Sequence, residues 1–311
     1  MKELLQTYLE GRESNTMKCY GSAYRVLRDI CRDQDLNLFR LKEDELCDIV
    51  LEMVERKKSE TQLRQVMAVV AIIEEVIGSR MDHRGKMFEV IKKSAIKKMN
   101  FGKKTKKRKG TTADALKKLH EKIYKKTTKK ERMRFLMMMT VCYFGCKRFG
   151  DISKIKNRNV IIREDKNISV WIEKNKTDVY CRGQEFRLTG RNNGGFSISK
   201  MLKWYRKELG PIPDEGYLFP FFKKNGQPVF SKAVSYNAAR VQLEQEKRRL
   251  SLPDLKWHSG RIGAATRGAQ LGAGRQVIKR AGNWQSDAVD GYMQVDSPCV
   301  VLGDILLADW D

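Results

Sequence analysis

The stretch from 258 to 269, HSGRIGAATRGA, holds one of only three histidines in the chain, then an arginine three residues on, then almost no side-chain bulk. Residues i and i+3 share a helix face, so His258 and Arg261 can present their heads to one anion. Gly263, Ala264 and Ala265 let the same helix approach another backbone closely. Alone, an H-x-x-R pair carries little weight. An exposed helix in an arginine-rich chain would read the same way, so the meaning must come from the rest of the sequence.

Composition supplies the first constraint. The chain has 311 residues, room for one large or two ordinary domains, and 41% of them are hydrophobic, enough for a real core. Lysine and arginine number 63 against 38 acidic residues, a formal net charge of +25. Such an excess repels itself in a compact chain and points to a polyanionic partner, with nucleic acid the best fit. A membrane surface is the rival. However, no apolar run reads as a membrane span, and the opening MKELLQTYLEG does not read as a signal peptide. The cysteines at 19, 31, 47, 142, 146, 181 and 299 include no C-x-x-C pair, which suits reduced, structural thiols in a reducing compartment. With three scattered histidines, neither a metal nor another cofactor is expected.

The first hundred residues read as helices. Tyr20, Tyr24, Leu27 and Cys31 recur at spacings of three and four, as do Leu46, Ile49, Val50 and Met53. Ser59 opens a third helix with the stripe Leu63, Val66, Met67, Val70, Ile73 and Ile77, closed by Gly78. KMFEVIKKSAIKKM forms a short basic fourth. Then Lys103, Lys104, Lys106, Lys107, Arg108 and Lys109 crowd into seven residues. Like charges extend a segment, so this run is a tether, and it suits a phosphate backbone or a nuclear-targeting signal equally well. Beyond it, TADALKKLHEKIYKK and KERMRFLMMMTVCYFGC are helical, while NVIIRED, ISVWIEK and EFRL read as short strands. From Ser197 onward helices are expected to the end. The fold class is therefore mainly α with one small antiparallel sheet: a helical domain over 1–100, a basic linker over 101–112, a larger α+β domain over 113–296 and a tail over 297–311.

Further motifs join the histidine and arginine. Arg148 in KRFGDISKI precedes a helix face of Ile152 and Ile155, with Asp151 one turn on to orient a guanidinium. Downstream, RAGNWQSDAVDGYMQ places Trp284 and Tyr292 around a helix start at Ser286 and Asp287. This order — arginine, H-x-x-R, G-x-W, then tyrosine — resembles the tyrosine site-specific recombinases, or phage integrases, over the whole chain. It is most similar to Cre-like members, where tryptophan replaces a second histidine. Trp284 and Tyr292 stand eight apart, one closer than in many relatives, a shortened form similar to that of transposon-borne branches.

The resemblance implies a helical core-binding domain and a catalytic domain that clamp double-stranded DNA, and a set of roles. Arg148 and Arg261 make charge-assisted hydrogen bonds to the non-bridging phosphate oxygens as negative charge builds. His258 relays the proton of Tyr292, the nucleophile. Trp284 donates its indole N–H to the phosphate. A hairpin lysine, Lys176 with Lys174 as the alternative, protonates the 5′-oxygen leaving group. The product is a 3′-phosphotyrosine that another strand's 5′-hydroxyl can resolve without metal or ATP. The family also implies a dimer on one site and a tetramer in the synapse, closed by exchange of the tail, where Val301, Leu302, Ile305 and Leu306 form an apolar stripe. Such an enzyme works beside DNA inside the cell, in a nucleus or a prokaryotic cytoplasm. Two alternatives stay open: a type IB topoisomerase-like enzyme, and a DNA-binding protein without catalysis.

Overall fold

The computed structural model describes residues 14–78, 85–103, 109–174, 182–190, 196–252 and 254–293. The chain divides into two compact units, 1–106 and 107–311.

Among the described residues the first unit holds four helices: α1 (Ser14–Asp33), α2 (Glu43–Glu55), α3 (Glu60–Ile77) and α4 (Lys86–Asn100). Local chemistry sets their ends. The Ser59 hydroxyl accepts from the Gln62 amide while the Gln62 side chain accepts from the Ser59 amide, a capping box that opens α3. Gly78, at φ +70°, closes it in the left-handed conformation that glycine adopts without steric cost. Leu27, Ile30, Leu46, Ile49, Val50, Met53, Leu63, Val66 and Phe88 fill the core. One expectation is corrected. The buried stripe of α1 runs through Ala23, Leu27, Ile30 and Cys31, and Tyr24 stands exposed. Tyr24 sits at the margin of that stripe, where a phenol hydroxyl stays wet.

In the second unit, α5 (Ala113–Ile123) is followed by α6 (Lys130–Phe144), a short α7 (Phe149–Ile152), and strands β1 (Val160–Ile162), β2 (Ile168–Ile172) and β3 (Gln184–Leu188). Helix α6 is buried continuously from Met133 to Tyr143. A helix apolar on all sides belongs at the centre of a fold, and most of the unit's other described helices pack around this one. The strands form an antiparallel meander that aligns Val160 with Val170 and Val170 with Phe186. Then come α8 (Ile198–Leu209), strands β4 (Pro220–Phe222) and β5 (Pro228–Ala233), α9 (Tyr236–Leu250), α10 (Ser259–Gln270), α11 (Arg275–Gly282) and a 3₁₀ turn, Asp287–Gly291.

The β4–β5 hairpin overturns the expectation of helices alone after Ser197. Its signal is present in the sequence: Asn225 and Gly226 between apolar pairs, with Gly226 at φ +79°. Pro220 and Pro228 mask it, because proline discounts a strand except at an edge, where both lie here.

The bare side chains of α10 have a structural reason. A Cβ on Gly263 would lie 1.9 Å from the Thr111 carbonyl oxygen, and one on Gly260 would press on Cys142 of α6 at 3.2 Å. The segment after the basic run docks along α10: the Thr111 amide donates to the Ser259 carbonyl at 2.8 Å, and their hydroxyls share a 2.6 Å hydrogen bond. Thr112 then caps α5.

Candidate active site

The start of α10, the turn after α6 and the end of α11 meet in a small cluster of Cys146, Ala265, Ile278, Trp284 and Val289, with Tyr292 packed on it. Cys146 makes the turn at φ +52°, in the left-handed region that a non-glycine residue rarely enters. Its carbonyl accepts a 3.2 Å hydrogen bond from Nη1 of Arg261. The Arg261 side chain is wholly buried, with its guanidinium carbon 3.7 Å from the Trp284 ring centre and 5.5 Å from that of Tyr292.

G-x-W has a packing cause. A Cβ on Gly282 would fall 1.8 Å from the indole ring of Trp284, so only glycine lets the ring fold back over the helix end. Asn283, at φ +54°, makes the left-handed cap between them.

His258 lies at the N-cap of α10, and its Nε2 is 3.0 Å from the Tyr292 hydroxyl. The two rings meet edge to face at 5.2 Å, and Trp284 meets Tyr292 the same way at 4.9 Å. Tyr292 follows the 3₁₀ turn rather than standing inside an α-helix, as its sequence context suggests. Two clamps hold it there. Thr266 donates its hydroxyl to the Tyr292 carbonyl at 2.9 Å. Arg275 grips the turn, donating to Asp290 and Asp287 at 2.7 Å each, and Lys279 adds a 3.3 Å contact to Asp287. These bonds lower the carboxyl pKa values of Asp287 and Asp290 and raise that of Arg275. A 3₁₀ turn pinned at two carboxylates thus stands where the sequence suggests a helix start at Ser286 and Asp287.

Arg148 caps α7 with its side chain partly exposed, and its charge is felt at Arg261. Asp151 accepts from the Arg148 amide at 3.2 Å, while the guanidinium is 3.9 Å away. Asp151 thus fixes the backbone under Arg148 more directly than its head group. Burial, then the charge of Arg148, lowers Arg261 to about 10.

The unused donors are the most informative feature. Arg261 Nε, Arg261 Nη2 and Trp284 Nε1 are buried without a hydrogen-bond partner among the described residues. An unmet buried donor costs about 1–3 kcal/mol. Three of them beside a histidine–tyrosine pair make a site built to receive an anion with several acceptor oxygens.

The structure therefore brings His258, Arg261, Trp284 and Tyr292 together, with Arg148 alongside. Lys176 lies outside the described residues, as do Lys104, Lys106, Lys107, Arg108 and the tail from 297 to 311. Lys174 is exposed at the end of the described hairpin strand, and Lys103 is exposed too. Lys109 is 3.3 Å from Asp254. Four contributors are not legible in the sequence motifs: Cys146, whose carbonyl meets Arg261; Thr266; Arg275; and Lys147, buried under the site. Of these, Arg275 alone had a local signal, a cation at the first position of a helix followed by a turn with two aspartates.

No family model matches the sequence, and no curated protein matches it. Solved structures do match its fold. A XerH site-specific recombinase bound to difH substrate, in a pre-cleavage complex, superposes with a TM-score of 0.63 at 16% identity, covering 92% of this chain and 78% of that one. The Tn1549 transposon integrase in complex with circular intermediate DNA gives 0.61 at 14% identity, over 96% and 95%. A lambda integrase dimer bound to a COC′ core site gives 0.59 at 13%, over 96% of each. The chain has the tyrosine recombinase fold, mostly helical with small antiparallel sheets. Among the described residues no helix is long and apolar enough to cross a membrane.

Proposed function

We propose that this chain is a site-specific DNA recombinase that cleaves and rejoins strands through a 3′-phosphotyrosine. The observation that carries this reading is the 3.0 Å contact between His258 and Tyr292 beside a buried arginine with unmet donors. A neutral phenol is a weak nucleophile, and a histidine nitrogen in hydrogen-bond contact is the group that can take its proton as it attacks phosphorus. The phosphodiester enters as an anion and gains charge at the pentacoordinate stage. Arg261 and Arg148 supply fixed positive charge where that charge develops, and the Trp284 N–H supplies one more donor. Lys176 completes the scheme by protonating the departing 5′-oxygen. The electrostatic work assigned to a metal elsewhere falls to two arginines here, so the reading needs neither metal nor ATP.

DNA is the partner, with a net charge of +25 to attract it. The basic run from Lys103 to Lys109 follows the backbone. A dimer on one site and a tetramer in the synapse, closed by the tail, fit the DNA-bound integrase dimer and the Holliday-junction tetramer found among the structural neighbours. The topoisomerase-like alternative differs in acting without a sequence requirement.

One experiment tests the reading. DNA trapped covalently on the protein is recovered after denaturation and sequenced, with Tyr292→Phe as the control. Recovery of a defined site joined through its 3′-phosphate supports a recombinase. Random sequences with supercoil relaxation support the topoisomerase-like alternative, and no adduct on any DNA overturns the catalytic reading.

A further inference from the structure

Lys147 is the unexpected residue of this region. It adjoins Arg148, yet only 1% of it is exposed. Its Nζ donates a 3.0 Å hydrogen bond to the carbonyl of Ala281 and lies 4.7 Å from the ring centre of Phe186 on β3. Phe186 in turn packs so close to Gly145 that a Cβ there would meet it at 2.9 Å. Ala281 is in the last turn of α11, where carbonyls have no amide of their own helix to accept from and the helix end is negative. The Asn283 and Trp284 amides bond to Arg280 and Lys279, so the Ala281 carbonyl is satisfied from outside the helix, by Lys147.

Carrying an ammonium here is costly. A methionine would fill the same volume without desolvation. The Lys147 pKa is lowered to about 8, first by burial and then by the charges of Arg261 and Arg148, with Asp151 and Cys146 opposing them. Helix α11 meets the ammonium with the Ala281 carbonyl, and β3 meets it with the Phe186 ring. What the charge does is join three pieces. The turn bearing Arg148, the strand bearing Phe186 and the helix end leading to Trp284 are all held by one side chain.

We propose that Lys147 is a positioning residue for this site: its ammonium clamps the C-terminal end of α11 and so sets where Trp284 stacks on Arg261. It does not touch the substrate, being covered. Its role in cleavage rests on the recombinase reading, while its effect on Trp284 does not.

The test has two arms. In the first, the protein is labelled with 5-fluorotryptophan, and the Trp284 resonance is identified by its loss in Trp284→Phe. In the wild type it is expected to shift with pH around a midpoint near 8. In Lys147→Met it is displaced and flat from pH 7 to 9, and Lys147→Arg, which keeps the charge and a donor, returns it toward the wild-type position. A Trp284 resonance that is flat in the wild type, or the same in wild type and Lys147→Met, overturns the proposal. Should Lys147→Met fail to fold, the wild-type titration and Lys147→Arg decide. In the second arm, single-turnover cleavage by Lys147→Met is expected to fall about 10²-fold at saturating DNA, the scale of a 1 Å misplacement, with Kd for DNA unchanged. A 5′-bridging sulfur substrate is expected not to restore it. Restoration would make Lys147 the acid and overturn the positioning role. If the wild type cleaves no DNA, the recombinase reading fails and the fluorine arm still decides Lys147.

Discussion

Two arginines of the second unit are buried almost equally and are used in opposite ways. Arg134, on the central helix, donates to the Pro220 carbonyl at 2.5 Å and to the Gln242 side chain at 2.9 Å, with its guanidinium over Phe222. Gln242 is itself anchored on the Glu131 carbonyl. Only Arg134 Nε lacks a partner. Arg261 has one bond, to Cys146, and two idle nitrogens beside an idle indole N–H. Burial lowers the pKa of both. Burial of a cation therefore does not mark a site. What marks it is whether the protein has already occupied the donors. Arg134 stitches the β4–β5 hairpin to α6 and α9, whereas Arg261 keeps its fork in reserve.

That contrast yields predictions in descending size. Tyr292→Phe removes the oxygen that His258 contacts, so covalent DNA attachment is expected to vanish while binding stays near wild type. Denaturing gels of trapped complexes check it, and an adduct persisting in the variant rules out Tyr292 as nucleophile.

Lys176→Ala is expected to slow cleavage by about 10²–10⁴-fold, the usual worth of a positioned acid, and a 5′-bridging sulfur should restore the rate. Lys174→Ala behaving this way instead would move the role to that neighbour.

Arg261→Met is expected to lower the cleavage rate by about 10²–10³-fold, the effect of losing one oxyanion-type donor, or more. Its thermal midpoint should hold or rise, because a costly buried charge is removed. Arg134→Met should do the reverse. It leaves the Pro220 carbonyl and the Gln242 Oε1 without the Arg134 donors, at about 1–3 kcal/mol each, so the melting temperature falls while the folded fraction cleaves normally. Matching stability losses in both variants would erase the distinction between the two arginines.

The smallest effect concerns the linker. Neutralising the run from Lys103 to Lys109 should flatten the salt dependence of DNA binding by about 0.9 in log–log slope for each phosphate left without its cation. An unchanged slope would leave the run a tether or a targeting signal.

Lys147 adds a pH effect on stability. Its pKa falls from 10.5 to about 8 on folding, so between those values the unfolded chain holds the extra proton. Stability contributed by this group is therefore full above 10.5 and lost as pH falls through 8. Thermal melts of wild type and Lys147→Met should converge as pH rises across that window.

The helices of the first unit were legible in the sequence because capping and a 3.6-residue period act locally: Ser59 with Gln62, then Gly78, need no distant partner. Arg148, His258, Arg261, Trp284 and Tyr292 were legible as candidates too, since an arginine, H-x-x-R, G-x-W and tyrosine are a matter of order and spacing. Other features exist only in the folded chain. That Gly263 is bare because the Thr111 backbone crosses it is a fact about two segments 152 residues apart. That Lys147 turns inward to a carbonyl of α11 while Arg148 faces the site depends on a left-handed turn at Cys146, which no pattern in CKRFG announces. Which of two buried arginines stays unpaired was equally hidden, because a side chain's hydrogen bonds are set by whatever the fold brings within about 3 Å of it, and that neighbourhood is assembled from the whole chain.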